Sequence, residues 1–244
     1  MANYTVAIKQ TATTDVIDLS EAYGLIPTER PVIAPPSPKV KFEEIPGGSG
    51  SLDLSQVLTN EISYSDRSGS IEFMLVPESL RGGERIYWED VYSDLLKFLS
   101  AGRVRLWTSR NAWGVPVFND YYYEGRMILN EWKTDKSWEH VTLDYRFDPF
   151  KYANEEYDSG IKVVADGGSY TINISNLERI TVPTIYVSKP MEVTYNTRTY
   201  LLPAGSSRII ALTNMGANTN ALVFNNNQSS GQGTMHVGYR RMFL

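Results

Sequence analysis

One stretch of this chain departs from the pattern of all the rest. From Glu84 to Ala101, apolar residues recur as Trp88, Val91, Tyr92, Leu95, Phe98 and Leu99, the spacing of one helix face. Gly82-Gly83 precede the run, and Gly102 follows it where a helix places its terminating glycine. Elsewhere the period is two. Ile71, Phe73 and Leu75 share one strand face, and Val141, Leu143, Tyr145 and Phe147 share another. A single helix among alternating strands restricts the chain to a mainly β fold. The helix is expected to lay its whole apolar stripe on a sheet as core.

The strand patterns fall into two groups. In the first half they cover Tyr4–Ile8, Arg103–Thr108, Tyr121–Trp132 and Trp138–Phe147, and KTDKS (133–137) reads as a hairpin loop between the last two. The second half is strand upon strand: near 161–165, 169–175, 180–187, 191–195, 198–203, 207–213, 220–224 and 234–241. Asp166-Gly167-Gly168, Asn196-Thr197 and Ala204-Gly205 mark turns, and NNNQSSGQG (225–233) reads as a polar loop. Short strands at this spacing predict an antiparallel sandwich. Charge also changes, from −6 over residues 1–152 to +1 over 153–244, and all five tryptophans lie between Trp88 and Trp138. The expected domains are therefore 1–152 and 153–244, with ANEEYDSG (153–160) as a polar linker.

Two segments of the first half stand out. Residues 26–40 carry Pro27, Pro31, Pro35, Pro36 and Pro38. Proline fixes φ and removes a backbone donor, so the segment is expected as an exposed extended arm, either a connector or a reach toward a neighbouring subunit. IPGGSGSLDL (45–54) places Gly47 and Gly48 in a turn that needs positive φ. It fails as a nucleophile elbow because the fifth position is Ser51, and as a phosphate loop because it lacks the lysine and a following helix.

Most chemistry is excluded by composition. The 244 residues include no cysteine, so neither disulfides nor thiolate metal sites can form. Two histidines, His140 and His236, are too few for a multi-histidine centre. A net charge of −5 lacks the footprint of a general nucleic-acid binder. No signal peptide or membrane span is expected. His140 and Asp144 share a strand face but stand about 13 Å apart at the strand rise, beyond proton-transfer reach. No catalytic residue, cofactor or metal is assigned.

The order of features resembles the distal tail protein (Dit) family of long-tailed bacteriophages. The glycine turn leads to Leu52-Asp53, then Tyr64 and Arg67 in ISYSDRSGSIEF, then LLKFLSAGRVRLW (95–107). Gly125 and Arg126 follow in YYYEGRM, and Asp148-Pro149-Phe150 closes the first half. The second half is similar in ITVPTIYV (180–187) and MEVTYNTRTYLL (191–202). The resemblance implies a tail-tube-like N-terminal β-domain with one helix and a galectin-like C-terminal sandwich. It implies a homohexameric ring that joins the tail tube to a tail-tip or baseplate hub protein, with DNA passing as cargo through the lumen. It places the protein in the virion tail tip after synthesis in the host cytoplasm, where a cysteine-free chain would assemble through interface area. Asp53 and Arg67 are expected as a structural pair across neighbouring strands. Two rivals stay open: a carbohydrate-binding adhesin using the tyrosines of the sandwich, and a sandwich-domain glycan hydrolase built on two facing carboxylates.

Overall fold

The computed structural model describes residues 4–13, 15–55, 57, 62–75, 88–112, 115–134, 139–174, 182–209, 220–228 and 230–244. The chain forms two compact units, Met1–Lys151 and Tyr152–Phe243. The architecture is mainly β.

In the first unit the elements are β1 (Val6–Gln10), β2 (Ile17–Asp18), α1 (Leu19–Tyr23), β3 (Leu25–Pro27), β4 (Phe42–Glu44), β5 (Ser51–Asp53) and β6 (Arg67–Leu75). They continue as α2 (Trp88–Ser100), β7 (Val104–Ala112), β8 (Val115–Phe118), β9 (Tyr121–Thr134) and β10 (Glu139–Asp158), within which the division between units falls. The sheet runs β2-β1-β7-β9-β10-β6-β3, with β8 pairing with β7, and β4 and β5 form a separate two-stranded hairpin. Every described ladder is antiparallel, so β10 meets β6 with Val141 opposite Phe73 and Phe147 opposite Arg67. The core combines Phe73, Leu95, Leu106, Met127, Leu143 and Phe147 with their neighbours.

The helix lies where its period predicts, though 84–87 and Gly82-Gly83 fall outside the described residues. Its stripe divides, however. Val91, Leu95 and Leu99 are buried, which stabilises the docked helix by roughly 5–9 kcal/mol at the usual value per large apolar side chain. Trp88 and Tyr92 remain exposed beside Trp132, against the expectation that the whole stripe is core. Trp88 and Tyr92 begin the i, i+4 row that adjoins the buried Val91–Leu95–Leu99 row, and the sheet covers the one row and leaves the other exposed. A second helix was not expected. α1 is one turn long, capped by Asp18, whose carboxylate accepts from the amides of Ser20 and Glu21, and closed by Gly24 at φ 70°.

The proline-rich segment is not a free arm over its first part. Pro27 sits in β3 against Phe73, and Pro31 and Ile33 are buried. Proline excludes a segment from the middle of a sheet but suits its edge. Pro35 and Pro38 are exposed, and Pro38 forms an isolated bridge with Tyr64.

In the second unit, β11 (Lys162–Val164), β12 (Ser169–Ile174), β13 (Thr184–Val187), β14 (Met191–Tyr195), β15 (Arg198–Leu202), β16 (Gly205–Arg208), β17 (Asn220–Asn225) and β18 (Gly233–Phe243) follow. One sheet runs β16-β13-β18-β10 with β11 on β18, and the other runs β12-β17-β14-β15. Their inward residues, among them Ile174, Val187, Met191, Phe224 and Met235, form one core. This is an antiparallel sandwich. Asn196 and Thr197, both at positive φ, make the tight β14–β15 turn. Residues 210–213 of one expected strand and 180–181 of another lie outside the described residues.

The expected linker is instead strand as far as Asp158. Ala153 is buried, and Arg240 of β18 donates to the carbonyls of Ala153 and Asn154 at 2.7 and 2.6 Å. Polar residues are compatible with a strand whose outer face is wet, so a hydrophilic run alone does not identify a linker.

Candidate functional site

The family-like residues of the first unit converge on one buried arginine. Arg67 opens β6, 5% exposed. Its Nε donates to the carbonyl of Pro149 at 2.8 Å and its Nη1 to the carbonyl of Ala34 at 3.0 Å. The guanidinium lies over the Tyr123 ring, 5.4 Å from the centroid. Burial pulls its pKa below the ordinary value, while the neighbouring phenols of Tyr123, Tyr145 and Tyr121 act the other way. Burial also pushes the Tyr123 hydroxyl up to about 12. The planar fork explains why arginine occupies this position: it can reach two carbonyls on different segments at once.

Around it the strands stack an aromatic wall. Tyr145 and Phe147 are parallel at 5.0 Å, and Tyr123 stacks on Phe147 at 6.1 Å. The Tyr145 hydroxyl accepts from the Ala34 amide at 2.9 Å. Tyr64 meets Phe150 edge-on at 6.2 Å. Gly125 pairs with Val104 and lies so close to β10 that a Cβ there would overlap the Arg146 carbonyl and the Phe147 backbone. Tyr64, Arg67, Gly125 and Pro149 are thus one assembly. Its function is to clamp the proline-rich segment, through Ala34, onto the sheet.

The other motif residues lie elsewhere. The expected Asp53–Arg67 pair is replaced by different contacts: Asp53 sits in the exposed hairpin, where its carboxylate accepts from the Ser55 amide at 2.9 Å, and hydrogen bonds from the Ser55 hydroxyl first and its amide second draw its pKa down. Two separate sheets hold the two residues, which sequence order could not reveal. Gly47 adopts φ 73° at the end of that hairpin, beside Gly48. Arg126 is exposed on the other face of β9.

That opposite face of the sheet carries a charge ladder. Arg103 contacts Asp148 at 2.5 Å and Glu124 at 3.7 Å, and Arg105 contacts Glu124 at 3.1 Å while lying over Tyr122 at 4.8 Å. Tyr122 is buried against Trp107, at 5.3 Å. These carboxylates are engaged by arginines.

Among the described residues no other cluster gathers groups suited to catalysis. An open groove of about 330 Å³ runs between residues 28–32 and 70–72, and its Glu29 and Glu72 are both solvent-exposed. General-acid chemistry uses an enclosed carboxyl, which this groove does not provide. Glu139 accepts from the Trp132 indole at 3.0 Å, and its pKa is raised mainly by burial. Among the described residues no group of three His, Asp or Glu is placed to hold a metal, and no helix is long and apolar enough to cross a membrane. His140 is exposed, and His236 stacks on Tyr186 at 5.1 Å. Sequence reasoning missed Ala34, Tyr145 and Phe147; the only signal for the last two was their place on one strand face.

No protein-family profile matches the chain, and no curated protein does. Among solved structures, the crystal structure of the SPP1 Dit (gp 19.1) protein, of the hub adsorption apparatus in phages infecting Gram-positive bacteria, matches at 15% identity and a TM-score of 0.56. The match covers 99% of both chains. A de novo designed double-stranded β-helix matches 35% of this chain at 16% identity, with a TM-score of 0.28 that is too low to bear on the fold. Both units of this chain together have a Dit-like fold.

Proposed function

We propose that this protein is a non-enzymatic structural subunit of a phage tail tip, a distal tail protein. Six copies would form a ring joining the tail tube to a tail-tip or baseplate hub protein, with DNA passing through the lumen. The observation that carries this reading is the fold shared with SPP1 Dit over 99% of both chains. Two features of the chain support it. The carboxylates of the charge ladder are neutralised by arginines, as suits scaffold more than catalyst. The balance of −6 over residues 1–152, the part that would build the ring, suits a lumen through which DNA must slide without adhering. Domains 1–152 and 153–244 would divide the labour, the first building the ring and the second a galectin-like sandwich at its periphery. Synthesis in the host cytoplasm precedes incorporation into the virion. Electron microscopy of the purified chain at high concentration tests the proposal: six-fold rings are expected, and particles of monomer size alone count against a self-assembling ring.

One observation favours a second reading, a carbohydrate-binding tail protein. Tyr186 is exposed on the sandwich, backed by His236 on one side and flanked on the other by Ser206, too short to cover its ring. Saturable glycan-array binding, lost in Tyr186→Ala, would support it; a flat array response would remove it.

A further inference from the structure

Tyr186 stands outward from β13, and strand register fixes its neighbours. Ser206 of β16 lies opposite it on one side and His236 of β18 on the other. The next outward residue of β13, Thr184, is paired with Arg208 of β16 and Gly238 of β18, so all of these share one face of the sandwich. His236 stacks on one face of the Tyr186 ring at 5.1 Å, with 21° between the planes, and so fixes the plane of the phenol. The other face of the ring is open, because Ser206 is short and β16 is the edge of its sheet. Tyr186 is accordingly 40% exposed.

These positions select a ligand. Neighbouring strands lie about 4.8 Å apart, and apolar contact brings a pyranose to about 3.5–4 Å from an aromatic ring, so a sugar on the open face of Tyr186 stands over Ser206. The Ser206 hydroxyl can donate to or accept from a sugar hydroxyl there. Arg208 is the exposed diagonal neighbour of Tyr186, at about 7–8 Å between the two positions, within reach of a long side chain. Among the described residues no carboxylate or ring engages it. Glu156 and Asp158 lie on β10, three strands away and therefore about 14 Å distant, and Glu156 is already paired with Arg240 at 3.5 Å. A neutral sugar would leave the Arg208 fork without a partner, whereas an acidic one would supply two oxygens to it. We infer that the open face of Tyr186 takes a saccharide bearing a carboxylate or phosphate, its ring on Tyr186, a hydroxyl at Ser206 and the anionic group at Arg208. The inference rests on the carbohydrate reading above and names its ligand class.

The test titrates the full-length chain with glucose, glucuronate and glucose 6-phosphate while NMR follows the amide shifts of Tyr186, Ser206 and Arg208. At least one of the two acids is expected to bind about two- to fivefold tighter than glucose, the size of an exposed ion pair's contribution, and the advantage should vanish in about 1 M salt. Which acid gains distinguishes a carboxylate-bearing sugar from a phosphate-bearing one. Arg208→Gln should erase the advantage and leave glucose binding unchanged. Tyr186→Ala should abolish binding of all three sugars, and Tyr186→Phe, which keeps the ring, should retain it. Acids no tighter than glucose, or an advantage that survives Arg208→Gln, overturn the anionic ligand and leave the carbohydrate reading standing. Inorganic phosphate that binds as well as glucose 6-phosphate, in Tyr186→Ala as in the native chain, reveals an anion site alone and also overturns the inference. Shifts unchanged by every sugar overturn both readings.

Discussion

Replacing Arg67 by Met keeps an apolar stem of similar length and removes only the guanidinium. The structure allows the cost to be worked out. Two carbonyls, of Pro149 and Ala34, lose charged donors at 2.8 and 3.0 Å, at about 1.5–3 kcal/mol each. The cation–π contact with Tyr123 adds up to about 2 kcal/mol in a desolvated setting. Relief of the guanidinium's own desolvation offsets a few kcal/mol of this sum, so a net loss of about 2–4 kcal/mol is expected. All five tryptophans lie within Met1–Lys151, so indole fluorescence reports unfolding of the first unit by itself. With a urea slope of about 1–3 kcal/mol/M, a 3 kcal/mol loss lowers the midpoint by about 1–3 M. A second readout is local. The Ala34 amide, bonded to the Tyr145 hydroxyl, should exchange with solvent faster once its segment is released. Arg67→Lys should fall between, because an ammonium is a point donor and cannot span both carbonyls with a fork. An unchanged midpoint together with unchanged Ala34 protection in Arg67→Met would refute the clamp.

Three further outcomes are expected. Gly125→Ala places a methyl group on the Arg146 carbonyl, so thermal denaturation should show a loss of about 3 kcal/mol or more, whereas alanine at the exposed Arg126 next to it should change stability by under about 0.5 kcal/mol. Tyr123 is held up to about 12 in the fold against about 10 in the unfolded chain; its contribution is therefore intact below pH 10 and fades as pH rises toward 12, by about 2–3 kcal/mol, and Tyr123→Phe should flatten the alkaline limb of a stability–pH curve. Asn226, fully buried, donates to the carbonyls of Val164, Ala165 and Gly231, so Asn226→Asp, which turns those donors into an acceptor, should cost more than Asn226→Ala when unfolding of the second unit is followed by far-UV circular dichroism.

Periodicity carried the elements well because each reflects which face of a local segment meets the core. Val141, Leu143, Tyr145 and Phe147 were one face on paper and are one wall in the structure. The same logic overreached at α2, where Trp88 and Tyr92 continue the helical pattern but stay outside the core. Apolar pattern records tendency to be covered, and cannot say whether the cover comes from the same chain. The linker reading of 153–160 failed for a related reason: local polarity marks a wet face equally in a loop and in an outer strand. The site was half legible. Tyr64, Arg67, Gly125 and Pro149 were recognised as a series, but nothing in their spacing tied Arg67 to Ala34, 33 positions earlier.

By itself the sequence determined the local alternations: where the chain can be strand, where it turns, where one helix must fall, and which chemistries a cysteine-free, histidine-poor chain cannot support. Those depend on side-chain spacing and backbone permission, which are properties of neighbours along the chain. The tertiary structure decided which carbonyls receive the Arg67 fork, that Asp53 and Arg67 sit in separate sheets, and which aromatic residues of the first unit are left facing water. Those are long-range matters, settled when strands far apart in sequence pair and a buried charge must find donors and acceptors within hydrogen-bond reach.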